Sequence, residues 1–408
     1  MSEAKRPLTG IRIIDFCWVG AGSYTTKLLA DQGAEVIKIE STAKVDGIRL
    51  SGPFAGGVKG VNRSGYFADR NTSKRSVTIN MKTEEGQRLA RELVATCDVV
   101  TNNFTPGVMS RFGLAFEDVQ QINPRAVYLG MSMQGSDGPE RDYLGYGLTI
   151  SALVGLHHLT GLPGRPGVGT GTNYPDHIPN PSQAAFAILA ALRHARRTGR
   201  GQFIDLAQTE ATIAVLGSAL LEASVNGRDR APVGNRHDRY SPHGVYQTAG
   251  DDRWIALAVT SDDAWRATID VLELGPAQLD ASWEHEVARQ RDADRLDAVI
   301  AAAVADRDCD ALVEQLQRAG VAAGQVRDAQ GVVANDPQLA ERGHWIRLEH
   351  QEMGTTLYNN VPFRLSKTPT EVSQAAPMLG EHTREICHEL LGLSDEQIDG
   401  LVDSGVLV

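Results

Sequence analysis

The chain holds only four cysteines in 408 residues, Cys17, Cys97, Cys309 and Cys387, and no two form a CxxC pair. Thiolate metal sites and disulfide frameworks both need closely spaced cysteines, so neither a zinc site nor a stapled fold is expected. Long apolar runs are equally lacking: no segment approaches the roughly 20 residues that cross a bilayer. The opening Met1-Ser2-Glu3-Ala4-Lys5-Arg6-Pro7 has no apolar core of the kind a signal peptide carries, which makes the cytoplasm the expected compartment. Basic charge is in short supply as well. The formal net charge of −11 argues against nucleic acid or an anionic membrane as the main partner, though local cations can still hold a small anion.

What is present is ordinary for a globular protein, with 42% hydrophobic and 22% charged residues over a length that suggests two domains. Ile11 to Phe16 reads as a strand, Gly20-Ala21-Gly22 breaks it, and Tyr24 to Gln32 reads as a helix closed by Gly33. A second strand, Glu35 to Glu40, completes a β-α-β unit. The glycines and the acid at Glu40 approach a dinucleotide fingerprint, but the third glycine is missing and Thr25 stands in its place. A nicotinamide dehydrogenase is therefore a weak reading. Arg70-Asn71-Thr72-Ser73-Lys74-Arg75-Ser76 then puts three cations in a short turn before a strand from Val77 to Asn80, an arrangement that suits either phosphates or solvent. Thr83 caps a helix running to Cys97, and strands follow at Asp98 to Asn102 and Ala126 to Met131. This alternation predicts a mostly parallel, doubly wound α/β sheet with ligands at the carboxyl ends of its strands, where Gly20, Asn103 and Phe104 fall.

The densest chemistry lies between Gly171 and Gln202. A turn-rich loop carries Asp176 between Pro175 and Pro179, and an alanine-rich helix is expected to start at Ser182 and end in arginines before Gly199. Taken alone, Asp176 is either a capping aspartate or a positioned carboxylate. Composition then shifts: residues 226–243 are polar and basic, a smaller α+β segment follows, and strands return near 340 and at Asn360 to Leu365 before two final helices. The expected domains are 1–225, 226–335 and 336–408, the first and last forming one body.

Several stretches together resemble the family III CoA-transferases, the CaiB/BaiF or carnitine-CoA-transferase-like group. They are Gly33 to Glu40, Asn71 to Ser76, Asn103-Phe104-Thr105-Pro106-Gly107, Thr198-Gly199-Arg200-Gly201-Gln202 and Ala376 to Thr383, in order along nearly the whole chain. The resemblance implies a Rossmann-like large domain built from both chain ends, an inserted smaller domain and an interlocked homodimer. It implies an enzyme that moves CoA from an acyl-CoA to a free carboxylic acid, with Asp176 as the covalent nucleophile and the Gly20-Ala21 turn supplying oxyanion donors. CoA itself is expected on Arg70, Asn71, Thr72, Lys74, Asn103, Phe104 and Arg111. Ser41 stands where relatives often have a phosphate-binding arginine, with Lys44 and Arg49 as substitutes. Trp18, Tyr143, Tyr146 and His177 are expected to shape the acid pocket; no metal or redox cofactor is called for. The rival reaction in the group, α-methylacyl-CoA racemisation, pairs an aspartate with an upstream histidine. Tyr146 occupies that histidine's position here, which favours transfer.

Overall fold

The computed structural model describes residues 6–408. Six parallel strands form its main sheet: β1 (Arg12–Asp15), β2 (Glu35–Glu40), β3 (Lys74–Thr78), β4 (Val99–Asn102), β5 (Val127–Gly130) and β6 (Phe203–Asp205). Their order in space is β3-β2-β1-β4-β5-β6, so the winding reverses between β1 and β4. Parallel strands covered on both faces read as continuous apolar runs, because neither side can be left to water. Ile13, Ile14, Val99, Val100, Val127 and Leu129 show this. Ile13 and Val99 pack towards helix α1 (Ala21–Ala30) and the helix Pro179–Thr198; Ile14 and Val100 pack towards the helices Glu84–Ala95 and Thr383–Leu391.

The chain divides into two compact units. The larger takes residues up to 157, 168–230 and 340 onward, and also carries the antiparallel hairpin of β10 (Trp345–His350) and β11 (Gly354–Asn359). The smaller takes 158–167 and 231–339. Its sheet joins β7 (His243–Gln247), β8 (Trp254–Ala258) and β9 (Ala322–Val326) over a core containing Trp265 and Trp283. All four cysteines are buried and unpaired, and burial raises every one of the thiol pKa values.

Three local expectations need correction. Strand β3 begins at Lys74, not Val77, so Lys74 and Arg75 alternate across a sheet instead of decorating a turn. The helix expected from Ser182 begins at Pro179, because prolines lack only an N–H that the first turn leaves unused. The strand expected from Asn360 lies earlier, at Gly354–Asn359. Among the described residues no helix is long and apolar enough to cross a membrane, and no cluster of three metal-ligating side chains occurs.

Candidate active site

A cavity of about 740 Å³ lies in the larger unit, over the carboxyl ends of β1 and β4. At this edge the chain after β1 turns sharply through Trp18, Val19 and Gly20 into α1. Asn103, directly after β4, locks that turn: its Oδ1 accepts from the Trp18 N–H at 2.9 Å and its Nδ2 donates to the Trp18 carbonyl at 2.7 Å. Trp18 and Phe104 meet edge to face at 5.7 Å and form one apolar wall.

Asp176 borders the same cavity. It belongs to a single helical turn, Tyr174–His177, immediately before the long helix Pro179–Thr198. Only 4% of the residue is exposed. Backbone packs against its carboxylate from two sides, where a side chain would not fit. A Cβ placed on Gly20 or on Gly147 would stand 2.9 Å from Asp176 Oδ2. Burial pushes the carboxyl pKa up, while the Gly147 backbone hydrogen bond and the charge of Arg70 pull it back, leaving it at about 6. Helix α1 starts at Gly20 without a side-chain cap, so its positive end stands beside this carboxylate.

Arg70 and His177 form the flank of the site. Arg70 Nη2 lies 2.7 Å from His177 Nε2, and its guanidinium stacks over Tyr24 and Tyr66. Burial, then the charge of Arg70, drop the His177 pKa to about 4. The imidazole is therefore neutral near pH 7, accepting at Nε2 with its proton on Nδ1 near Thr172.

The expected CoA contacts divide. Phe104, Arg111 and Asn103 line the cavity, as do Trp18, Tyr143, Tyr146, Gly20 and Ala21. Asn71, Thr72 and Lys74 do not, since all three are buried in internal bonds. Lys74 Nζ pairs with Asp15 at 3.2 Å and donates to Asn71 Oδ1 at 2.9 Å, and Thr72 donates to Asp31. These side chains hold strand ends together and present nothing to a ligand here. Arg70 and His177 likewise turn to one another and do not line the cavity. Arg49 is no substitute phosphate ligand, because both its Nε and Nη2 bind Glu40 at 2.8 Å in the interior. The same pair engages the acid that a dinucleotide site would offer to a ribose. Lys44 does line the cavity, with its Nζ 5.2 Å from the Trp18 ring. Lys82 joins it there and was missed by sequence reasoning. Its place just beyond β3, at the ligand-binding edge of a parallel sheet, was the available signal.

A model of CoA-transferase family III matches residues 8–383. The chain belongs to that family. As a family III CoA-transferase it is 32% identical over 393 residues to the succinyl-CoA–D-citramalate CoA-transferase of Chloroflexus aurantiacus, covering 96% of each chain. It is 33% identical to the succinate–glutarate CoA-transferase of Agrobacterium fabrum, covering 96% of this chain and 97% of that one. A CaiB/BaiF family protein from Brucella suis superposes with a TM-score of 0.86 at 30% identity, over 95% of this chain and 100% of the other. The mixed α/β fold with its six-stranded parallel sheet is the fold shared with that structure. A CoA-transferase acts on an acyl-CoA and a carboxylic acid.

Proposed function

We propose that the enzyme transfers CoA from succinyl-CoA or a similar thioester to a small dicarboxylic acid, through covalent intermediates on Asp176. The carrying observation is the state of Asp176: a buried carboxylate with a pKa of about 6, largely ionised at neutral pH, wedged between two glycine backbones at the cavity edge. A carboxylate desolvated in this way is a stronger nucleophile than one in water. It attacks the thioester carbonyl, the C–S bond breaks, and CoA leaves as thiolate with an acyl-aspartyl anhydride behind it. The thiolate then attacks the aspartyl carbonyl, releasing the first acid as its carboxylate and leaving an aspartyl-CoA thioester. The second acid's carboxylate attacks that carbonyl and frees the thiolate again, which takes the new acyl group and restores Asp176. No net proton moves. Each tetrahedral centre carries an oxyanion, and the N-terminal N–H groups of α1 at Gly20 and Ala21 supply its donors.

Lys44, Lys82 and Arg111 are the cations that would hold the CoA phosphates, with Phe104 along the pantetheine arm. Trp18, Tyr143 and Tyr146 would bound the acid. Succinyl-CoA and the dicarboxylates are suggested by the relatives' names alone. We read the larger unit as the CoA-binding body and the protein as an interlocked cytoplasmic homodimer. Exposed Leu144, Phe186, Leu221 and Val225 on that unit are the apolar surface such a dimer would cover.

The test is direct labelling. Wild-type protein incubated with succinyl-CoA alone should gain the mass of an acyl or CoA adduct, and hydroxylamine should convert one carboxylate into a hydroxamate. Peptide mapping is expected to find it on Asp176; a label elsewhere, or an active Asp176→Ala enzyme, overturns the mechanism. Incubation with a 2-methylacyl-CoA in D₂O should leave the α-proton in place, and rapid exchange dependent on Asp176 would restore the racemase reading.

A further inference from the structure

The turn that meets Asp176 contains a residue in a conformation it would not choose. Val19 has φ of 59°, in the left-handed region that a β-branched side chain disfavours. Its N–H donates to Asp46 Oδ1 at 3.0 Å, and the same oxygen accepts from the Ile48 N–H at 3.2 Å. Asp46 is 1% exposed, and its other oxygen lies 3.1 Å from Lys38 Nζ. Lys38, wholly buried on β2, also donates to the Cys17 carbonyl at 2.5 Å. The neighbouring positions are held separately, Cys17 N–H by Asp15 and the Trp18 backbone by Asn103. Among the described residues Asp46 is the one whose side chain hydrogen-bonds to the Val19 backbone, and the next residue along is Gly20, whose backbone abuts Asp176.

We infer that Asp46, anchored by Lys38, is a positioning residue for CoA transfer: it locks Val19 in the left-handed conformation and so fixes Gly20 and Ala21 against Asp176. Were Val19 to relax into its preferred extended or helical region, the chain after it would swing and carry the N-terminus of α1 away from the carboxylate. Strain persists where the surroundings over-determine it, and it gathers at sites where geometry matters more than stability. Asp46 lines no part of the cavity and touches no reacting atom; it acts through the backbone of Val19.

The inference rests on the Asp176 reading, and a double-variant comparison separates the two. In the Val19 background, Asp46→Ala should lower kcat about 10²-fold, the scale of a misplacement near 1 Å, with KM for the acyl-CoA changing far less. In a Val19→Gly background the same change should cost less than about fivefold, because glycine takes positive φ unaided. Equal losses in the two backgrounds overturn the clamp, as does an Asp46→Ala enzyme within about threefold of wild type. Should Asp46→Ala alone fail to fold, recovery of folded, active protein on adding Val19→Gly supports the clamp, and a double variant that stays unfolded overturns it. Failure of the parent protein to be labelled on Asp176 defeats the nucleophile reading instead, and leaves the comparison of backgrounds on overall transfer intact.

Discussion

Asp176 is in tension with its own fold. Its pKa is raised in the folded state, from 3.8 to about 6, so the folded protein binds the proton more tightly than the unfolded chain does. Stability is therefore fullest below the unfolded pKa and is lost as pH rises through about 6. Asp176→Asn removes that penalty, and its melting temperature should exceed wild type at pH 7.5, by an amount reflecting on the order of 2–3 kcal/mol. The gain should vanish near pH 4. The same variant should lose transfer by several orders of magnitude, since a nucleophile costs more than the ~10²–10⁴ of a proton-transfer group. Arg70 acts in the opposite direction, its charge favouring ionised Asp176. In Arg70→Gln the acidic limb of the pH–rate profile should move upward from its position near pH 6; a limb that stays put would show that Arg70 does not set the ionisation.

At the scale of elements, the turn after β1 and the first turn of the helix Gly147–Leu153 matter more for what they omit than for what they carry. Gly147→Ala would set a methyl group 2.9 Å from Asp176 Oδ2, where it cannot stay. Turnover is expected to fall about 10²-fold, and the melting temperature to drop with an overpacking cost of about 1–3 kcal/mol, since the same methyl would press on the Asn173 Cβ at 2.9 Å; steady-state kinetics beside calorimetry would record both. Much of this level was legible in the sequence. Buried parallel strands announce themselves as apolar runs, and Asp176, Trp18, Phe104 and Arg111 do surround one cavity. The burial of Lys74 was not legible, because a cation before an apolar strand looks like a phosphate ligand or a solvated residue until its buried partner is known. Lys74 finds Asp15, 59 residues away, and no local pattern announces such a pairing. Gly147 was equally hidden. A glycine that makes room for a carboxylate looks like any other glycine in one sequence.

Across the whole molecule, the larger unit leaves Leu144, Phe186 and Val225 more than 70% exposed, at 80%, 74% and 75%. Sedimentation across a wide dilution range should find a dimer that does not dissociate, with an interface well above the standard size for protein–protein contacts. A folded monomer appearing on dilution would contradict the interlocked arrangement.

The burial of all four cysteines has a practical consequence for following the chemistry. Thiol–disulfide reagents react with accessible thiolates, and here every thiol is buried with its pKa raised. Native protein should be silent towards such a reagent and show four thiols only after denaturation. Against that dark background, CoA released when succinyl-CoA meets the enzyme is the sole fast-reacting thiol in the mixture. Its burst amplitude, read by absorbance without any separation step, counts the sites resting as the acyl anhydride, since a site that has gone on to the aspartyl-CoA thioester holds its thiol.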